Sequence, residues 1–158
     1  MKLYIEEKIF TLGNKFSVFD EQGNEKYYVE GEIFTFGNKL HVYDLQGHEV
    51  AYIEQELLTW MPRYHVYVGG REVAQICREF TFFTPKYRVD GLDWDVTGHF
   101  LEHDYEITRM GRPVVTIEKE WMTWGDCYEL NIADPADELA ALAVVITIDC
   151  VNESRNNN

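Results

Sequence analysis

Four basic residues recur at matching places in the sequence and could together bind an anion. Each directly follows a pair of turn-forming residues, Gly13-Asn14, Gly37-Asn38, Met61-Pro62 or Thr84-Pro85, and the four are Lys15, Lys39, Arg63 and Lys86. Ammonium and guanidinium groups bind phosphate and carboxylate oxygens through charge-assisted hydrogen bonds. The spacing therefore predicts an anion site, for an anionic lipid head group or an acidic protein partner. The alternative interpretation is that these are solubilising surface residues copied by duplication.

Acidic residues cluster in the stretches between these positions. They are Asp20, Glu21, Glu25, Asp44, Glu49, Glu72, Asp90 and Asp93. If successive strands alternate in direction, the basic and acidic groups lie at opposite ends of the sheet, and the molecule is electrically bipolar. The places that match the basic residues later in the chain hold Asp104 and Asp126, so the positive arc ends there.

Two other groupings resemble metal sites only in part. His99 and His103, with Asp104, are four residues apart, which on a strand spans about 13 Å and is too far for one ion, so we expect ordinary surface histidines. Three aspartates surround Gly91 but lack the full calcium loop and its late glutamate, so a solvated turn is favoured. They are Asp90, Asp93 and Asp95.

Catalytic chemistry finds no support in the sequence. Cys77 has no neighbouring base that would activate it as a nucleophile. His41 and His65 occupy matching positions of a repeat, and shared ancestry accounts for them. We therefore expect a protein that is not an enzyme and that holds neither a metal nor a cofactor.

The composition sets limits on partners and location. The chain has 158 residues, of which 46% are apolar, enough for the core of a single domain. Its net charge of −14 disfavours nucleic acid as a partner. No signal peptide begins the sequence, and three isolated cysteines suggest no disulfide framework, so a cytoplasmic location is predicted. The one long apolar stretch, 139–148, is too short for a transmembrane segment.

An internal repeat predicts the number of strands. Residues 8–30 aligned with 32–54 give 13 identities in 23 positions, and weaker copies follow. Each copy contains a turn, a short alternating run, a second turn and a longer run, which predicts about twelve strands in a meander of six hairpin repeats. Gly13-Asn14 and Gly37-Asn38 suit two-residue hairpin turns. Since an open sheet of this size leaves two exposed edges, closure into an antiparallel barrel is favoured.

Alternation within the short runs assigns one face of the sheet to the core. The residues predicted to point inward are Phe16, Val18, Leu40, Val42, Tyr64, Val66, Tyr87, Val89, Tyr105, Ile107, Tyr128 and Leu130. A barrel of about twelve strands is too wide to fill with these side chains alone. We therefore expect a mainly β fold whose interior also holds another element.

The C-terminal apolar segment could be that element. Asp134 suits a helix N-cap and Pro135 the first helical position, and the residues that follow are apolar on all sides. The sequence predicts one domain over 1–151, with strands within 3–132, a central helix over 135–149 and a disordered tail over 152–158. A thirteenth strand is the alternative, because the second half of the segment is rich in β-branched residues.

This architecture resembles the tubby C-terminal-like superfamily, and the stretch from Phe34 to Asp44 is similar to the LURP-one-related (LOR) family. The likeness extends from Tyr4 to Val151 and rests on turn and strand motifs. Tubby proteins bind phosphoinositide head groups and scramblases are regarded as distant relatives, but no stretch here matches their functional motifs. The resemblance implies a non-catalytic binding or scaffolding module of unknown ligand, or alternatively a membrane-associated phospholipid binder.

Overall fold

The computed structural model describes residues 1–6, 15–32, 35–122 and 125–156. They form twelve strands and one long helix, α1 (Glu138–Asn156). The strands are β1 (Lys2–Glu6), β2 (Lys15–Phe19), β3 (Glu25–Gly31), β4 (Lys39–Asp44), β5 (Glu49–Gln55), β6 (Arg63–Val68), β7 (Arg71–Glu79), β8 (Lys86–Asp90), β9 (Trp94–His99), β10 (Asp104–Arg109), β11 (Arg112–Met122) and β12 (Gly125–Ile132). Short 3-10 turns occupy Phe100–Glu102 and Pro135–Asp137.

The twelve strands close into an antiparallel barrel, as predicted. Each strand pairs with its neighbours in sequence, and β1 completes the ring by pairing with β12. The repeat is visible in the pairing, because the register shifts at Val18, Val42 and Val66, which are equivalent positions of successive copies. Closure leaves no unpaired sheet edge in this ring.

The inward face is the one that the alternation predicts. All twelve residues assigned to it are buried, and they pack around α1 in one hydrophobic core. The segment Ala141–Ile146 of the helix is fully buried, and Thr147 bonds back to the carbonyl oxygen of Ala143 at 2.7 Å. A helix therefore fills the barrel, and the alternative of a thirteenth strand is wrong.

A 3-10 turn begins at Pro135, where the helix is predicted to begin, but α1 itself begins at Glu138 and ends later than predicted. The Asp134 carboxylate accepts a hydrogen bond of 2.9 Å from the backbone nitrogen of Ala136, in the 3-10 turn that leads into α1. The helix then continues through Asn156, so the predicted end at 149 and the disordered tail over 152–158 are wrong for residues 152–156. Asp149 and Asn152 stay buried because the hydroxyls of Tyr128 and Tyr87 donate hydrogen bonds to them from the barrel wall.

The direction of α1 distinguishes the two ends of the barrel. Its first residue, Glu138, accepts a hydrogen bond of 2.9 Å from the hydroxyl of Tyr27, where β3 begins. Its last buried residues lie at the opposite end, where the even-numbered strands begin. We call the end that contains residues 35–38, 56–62 and 80–85 the loop end. The other, with the connections at 20–24, 45–48, 69–70 and 91–93, is the turn end.

The loop-end connections are longer than the sequence suggests. Gly37 has the positive φ of 78° that the turn assignment requires, but β3 ends at Gly31 and β4 begins at Lys39. The prediction of a two-residue hairpin turn at Gly37-Asn38 is therefore wrong. Asn38 instead exchanges hydrogen bonds with Gln55, through its backbone nitrogen to Oε1 and its carbonyl oxygen to the backbone nitrogen. The equivalent turn at Gly13-Asn14 lies outside the described residues.

Candidate functional site

The four predicted anion ligands all lie at the loop end, each as the first residue of its strand. Lys15, Lys39, Arg63 and Lys86 begin β2, β4, β6 and β8. Each also lies within 4.0 Å of a glutamate, and the pairs are Lys15 with Glu30, Lys39 with Glu54, Arg63 with Glu56 and Lys86 with Glu79. The hydrogen bond to Glu30 is the main reason that the pKa of Lys15 is raised.

These ion pairs weaken the positive arc that the sequence suggests. A cation whose charge is balanced by an adjacent carboxylate adds little to the long-range field. Exposed pairs of this kind contribute about 0–1 kcal/mol, so an anion could still displace one. The four-residue anion site stays a prediction, and the structure places its residues in an arc without bringing them to one point.

A second feature of the loop end was not predicted, a group of exposed apolar side chains. Seven of the nine large apolar side chains that are exposed in the described residues lie there, in three adjacent loops. We call them the apolar rim, and they are Phe36, Leu57, Leu58, Trp60, Phe80, Phe82 and Phe83. The two others, Leu45 and Met110, lie singly in connections at the turn end.

Contacts between neighbouring loops hold the apolar rim together. A side chain at Gly37 would approach Leu57 to 2.9 Å, so the first two loops touch directly. Trp60 stacks on Phe80 with ring centroids 5.6 Å apart, and Phe80 meets Phe82 edge-on at 5.2 Å. The first and second loops therefore meet at Gly37 and Leu57, and the second and third meet at Trp60 and Phe80.

Leu58 is unfavourably placed in two respects. Its side chain is fully exposed and its φ is +60°, a region that glycine and asparagine adopt far more readily than leucine. Strain of this kind persists only where the surrounding structure imposes it, and it is concentrated at functional sites. The positive φ and the exposed side chain of Leu58 thus both indicate that this loop is a candidate binding site.

Next to the apolar rim lies a cleft of about 450 Å³, which we call the arginine cleft. Its lining includes the apolar residues Trp60, Pro62 and Phe80 and four charged residues, Arg63, Arg78, Glu79 and Arg88. Arg63 donates to Gln75 Oε1 at 3.0 Å, and Arg88 donates to Asp90 Oδ1 at 3.0 Å. The buried Nε of Arg78, in contrast, has no hydrogen-bond partner in the part of the chain that the structure describes.

Cys77 lines the same cleft and is not activated there. It lies opposite Arg63 on β6 and Arg88 on β8, and it is buried. Burial raises the pKa of its thiol, and the two arginines only partly offset that effect. The thiol is therefore held in its protonated, weakly nucleophilic form.

The histidines have partners that the sequence did not reveal. On the outer face of the barrel, His41 is held between Glu32 and Glu49, and His65 between Glu56 and Glu72, at 2.6–3.0 Å. Partial burial lowers the pKa of His41, but its two hydrogen bonds outweigh that effect and raise it. The pKa of His65 is raised chiefly by Glu72.

His103 is not an ordinary surface histidine, so that prediction is wrong. Its ring stacks on Tyr128 with centroids 4.3 Å apart, and its Nε2 lies 3.3 Å from Oδ1 of the buried Asp149. The contact joins the connection between β9 and β10 to the end of α1. Sequence spacing could not reveal it, because the partners are distant along the chain.

Metal-ligating side chains are not clustered in residues 1–6, 15–32, 35–122 and 125–156. Within these ranges no three or more histidine, cysteine, aspartate or glutamate side chains are grouped to hold a metal ion. Within them, too, no helix has the length and apolarity needed to cross a bilayer.

Comparison with known proteins places this architecture in a family. The family model described as LURP-one-related matches residues 1–149. The uncharacterized protein YxjI of Bacillus subtilis (strain 168) is 32% identical over 151 residues, which cover 96% of this chain and 93% of that protein. An X-ray structure of a protein from Arabidopsis thaliana has a TM-score of 0.67 at 16% identity, covering 96% of this chain and 90% of that chain. The likeness to that structure concerns the fold alone. The match to the family model over residues 1–149 shows that this chain belongs to the LURP-one-related (LOR) family.

Proposed function

We propose that the protein is a non-catalytic binding module that docks by its loop end on the interfacial layer of a phospholipid bilayer. The observation that carries the proposal is the apolar rim, seven exposed side chains that three adjacent loops hold at one end of a closed barrel. Contiguous exposed apolar surface of this kind marks an interaction site. Because the barrel is closed and filled by α1, its loops have a firm support.

The composition of the rim favours a lipid interface over other occupants. Trp60 and four phenylalanines contribute rings of the kind that are stable at the boundary between head groups and acyl chains. Lys39, Arg63 and Lys86 begin strands just behind the loops, where long basic side chains can reach lipid phosphates while their stems cover apolar surface. A partner protein is the alternative occupant, and the vesicle experiment separates the two.

The driving force in this proposal is apolar burial and not charge. Removing one large apolar side chain from water contributes about 1.5–3 kcal/mol, and several such side chains suffice for reversible binding. The basic residues are already paired with glutamates, and the net charge of −14 opposes approach to an anionic surface. Binding to neutral phosphatidylcholine vesicles is therefore expected, with little dependence on salt.

The non-catalytic part of the proposal is supported by the chemistry of the cleft. Its cysteine has a raised pKa, and its arginines are not general bases at neutral pH. The cytoplasmic location is part of the same proposal. It is supported by Cys77, Cys127 and Cys150, which are all buried and form no disulfide bond.

Cosedimentation with phosphatidylcholine vesicles tests the proposal. The wild type should pellet with vesicles, and replacement of Trp60, Phe82 and Phe83 by serine should reduce the bound fraction by at least about tenfold, since each lost ring removes more than about 1 kcal/mol. The matched control replaces Leu45 and Met110, the exposed apolar residues of the turn end, by serine and should bind like the wild type. Equal binding by the two variants, or no binding by the wild type, would refute docking by the loop end.

A further inference from the structure

We infer that the arginine cleft binds a small organic oxyanion, a phosphate or carboxylate group joined to an apolar group, and that Arg78 makes the principal contact. This site goes beyond the proposed docking surface. It does not require the vesicle interaction, because its ligand enters a cleft beside the apolar rim.

The first observation is the unequal pairing of the three arginines that line the cleft. Arg63 lies 3.7 Å from Glu56 and bonds to Gln75, and Arg88 bonds to Asp90. For Arg78, the described part of the chain provides no carboxylate at ion-pair distance and no acceptor for its buried Nε. A buried donor of a charged group that stays unpaired costs more than about 1–3 kcal/mol. Because Arg78 as a whole is only partly buried and lines the cleft, a turn of its guanidinium toward the cleft would let a ligand supply the missing acceptor.

The surroundings of Arg78 explain why the chain itself does not supply that acceptor. The backbone nitrogen of Arg78 donates to the carbonyl oxygen of Pro62 at 3.0 Å, which fixes the residue under the second loop. The nearest acid along the strand, Glu79, is engaged by Lys86 at 3.4 Å. Among the three arginines that line the cleft, Arg63 and Arg88 have a carboxylate within 4.0 Å and Arg78 has none in the described part of the chain.

The chemistry of the cleft defines the class of ligand. A guanidinium presents a planar fork of donors that matches the oxygens of phosphate and carboxylate groups. The volume of about 450 Å³ exceeds that of a bare inorganic ion and falls in the range of small-molecule sites. Trp60, Pro62 and Phe80 form an apolar wall, so the ligand that fills the cleft carries an apolar or aromatic group next to its anionic group.

Binding of phenyl phosphate and benzoate, with phenol as the neutral control, tests the inference by calorimetry. The wild type should bind both anions and not phenol. Arg78→Gln, which keeps the length of the side chain but removes its charge, should weaken binding at least about tenfold, because a hydrogen bond to a charged group contributes more than about 1.4 kcal/mol. Arg71→Gln is the matched control, because Arg71 is exposed at the other end of the same strand. This variant should bind both anions like the wild type.

A direct signal accompanies the calorimetry. The Nε–H resonance of Arg78, assigned by its disappearance in Arg78→Gln, should shift on addition of phenyl phosphate and stay unchanged with phenol. No binding of either anion by the wild type, or equal binding by Arg78→Gln, would overturn the inference.

The same variants separate this site from the docking surface and identify the source of the ligand. The serine variant of the apolar rim at Phe82 and Phe83, with Trp60 retained, should lose vesicle binding and keep phenyl phosphate binding. If wild-type protein binds phenyl phosphate but not vesicles, the site stands and the proposed function fails. If phenyl phosphate weakens binding to vesicles that contain phosphatidic acid more than binding to pure phosphatidylcholine vesicles, the site binds lipid head groups. If it affects both kinds of vesicle equally, the ligand is a free small molecule.

Discussion

The two ends of the barrel are made from the same repeat, yet they satisfy their polar and apolar groups in opposite ways. At the turn end, the Asp20 carboxylate accepts hydrogen bonds from the backbone nitrogens of Gln22 and Asn24, and Asp44 repeats the arrangement with Gln46 and His48, all at 2.9 Å. At the loop end, longer connections place apolar rings in solvent and leave the Nε of Arg78 without an acceptor among the described residues. The turn-end connections make their own hydrogen bonds and need only to reverse the chain. The loop-end connections leave apolar rings and a hydrogen-bond donor that a partner could cover, so the partner is expected there.

The largest expected effect removes the support that both ends share. Leu142 is fully buried in α1, and Leu142→Ala should lower the free energy of unfolding by about 2–5 kcal/mol, because it leaves a cavity in a filled barrel. Chemical denaturation measures the loss. Leu45→Ala, at an exposed position of the turn end, should change stability by no more than about 0.5 kcal/mol. A small effect at Leu142 would mean that the barrel does not depend on its central helix, and the two ends would lose their common frame.

A smaller change sharpens the contrast at the loop end. Leu58→Gly should raise the free energy of unfolding by about 0.5–1 kcal/mol, because glycine adopts the positive φ without strain, and it should also weaken vesicle binding. Leu57→Gly serves as the control, since Leu57 is similarly apolar and exposed but is not among the residues with positive φ. A gain in stability together with a loss of binding would show that the strain serves docking. If Leu58→Gly is destabilising, the backbone at this position is not strained.

The smallest expected effect concerns the turn end and appears only in acid. The backbone hydrogen bond from His48 is the main reason that the pKa of Asp44 is lowered below its ordinary value of 3.8. A lowered pKa stabilises the folded protein above that ordinary value, and the contribution is lost as the pH falls through the folded-state pKa. Asp44→Asn keeps an acceptor oxygen but cannot ionise. Its melting temperature should therefore fall less steeply than that of the wild type between pH 5 and pH 2, and parallel curves would contradict the assignment.

The barrel and its core could be predicted because they are encoded in local periodicity. Alternation assigned Phe16, Leu40 and Tyr64 to the interior, and the apolar surface of 139–148 indicated a helix that is buried on all sides. Each of these inferences uses only the pattern of residues inside a single strand or helix.

The errors at Asn152 and His103 share one physical cause, which is that the partners of these polar groups are distant along the chain. Asn152 suggests an exposed tail until Tyr87 is placed beside it, and His103 suggests a surface residue until Asp149 is placed beside it. The same limit hid the candidate site. Nothing in the spacing of Arg78 distinguishes it from a solvated strand residue, and the apolar rim depends on loops whose lengths the turn pattern underestimated.

Closure of the ring through β1 and β12 has a consequence for folding during translation. The backbone of Ile132 exchanges hydrogen bonds with Met1 at 2.8 and 3.0 Å, so the ends of the barrel wall meet only after its whole length has been made. As the nascent polypeptide leaves the ribosome, one side of β1 stays unpaired while the intervening strands are made, and the helix that fills the interior emerges after all twelve strands. Pairings of such high contact order form slowly, and unpaired edges attract other chains. This fold is therefore most vulnerable to aggregation during translation, while the edges of the growing sheet are still unpaired.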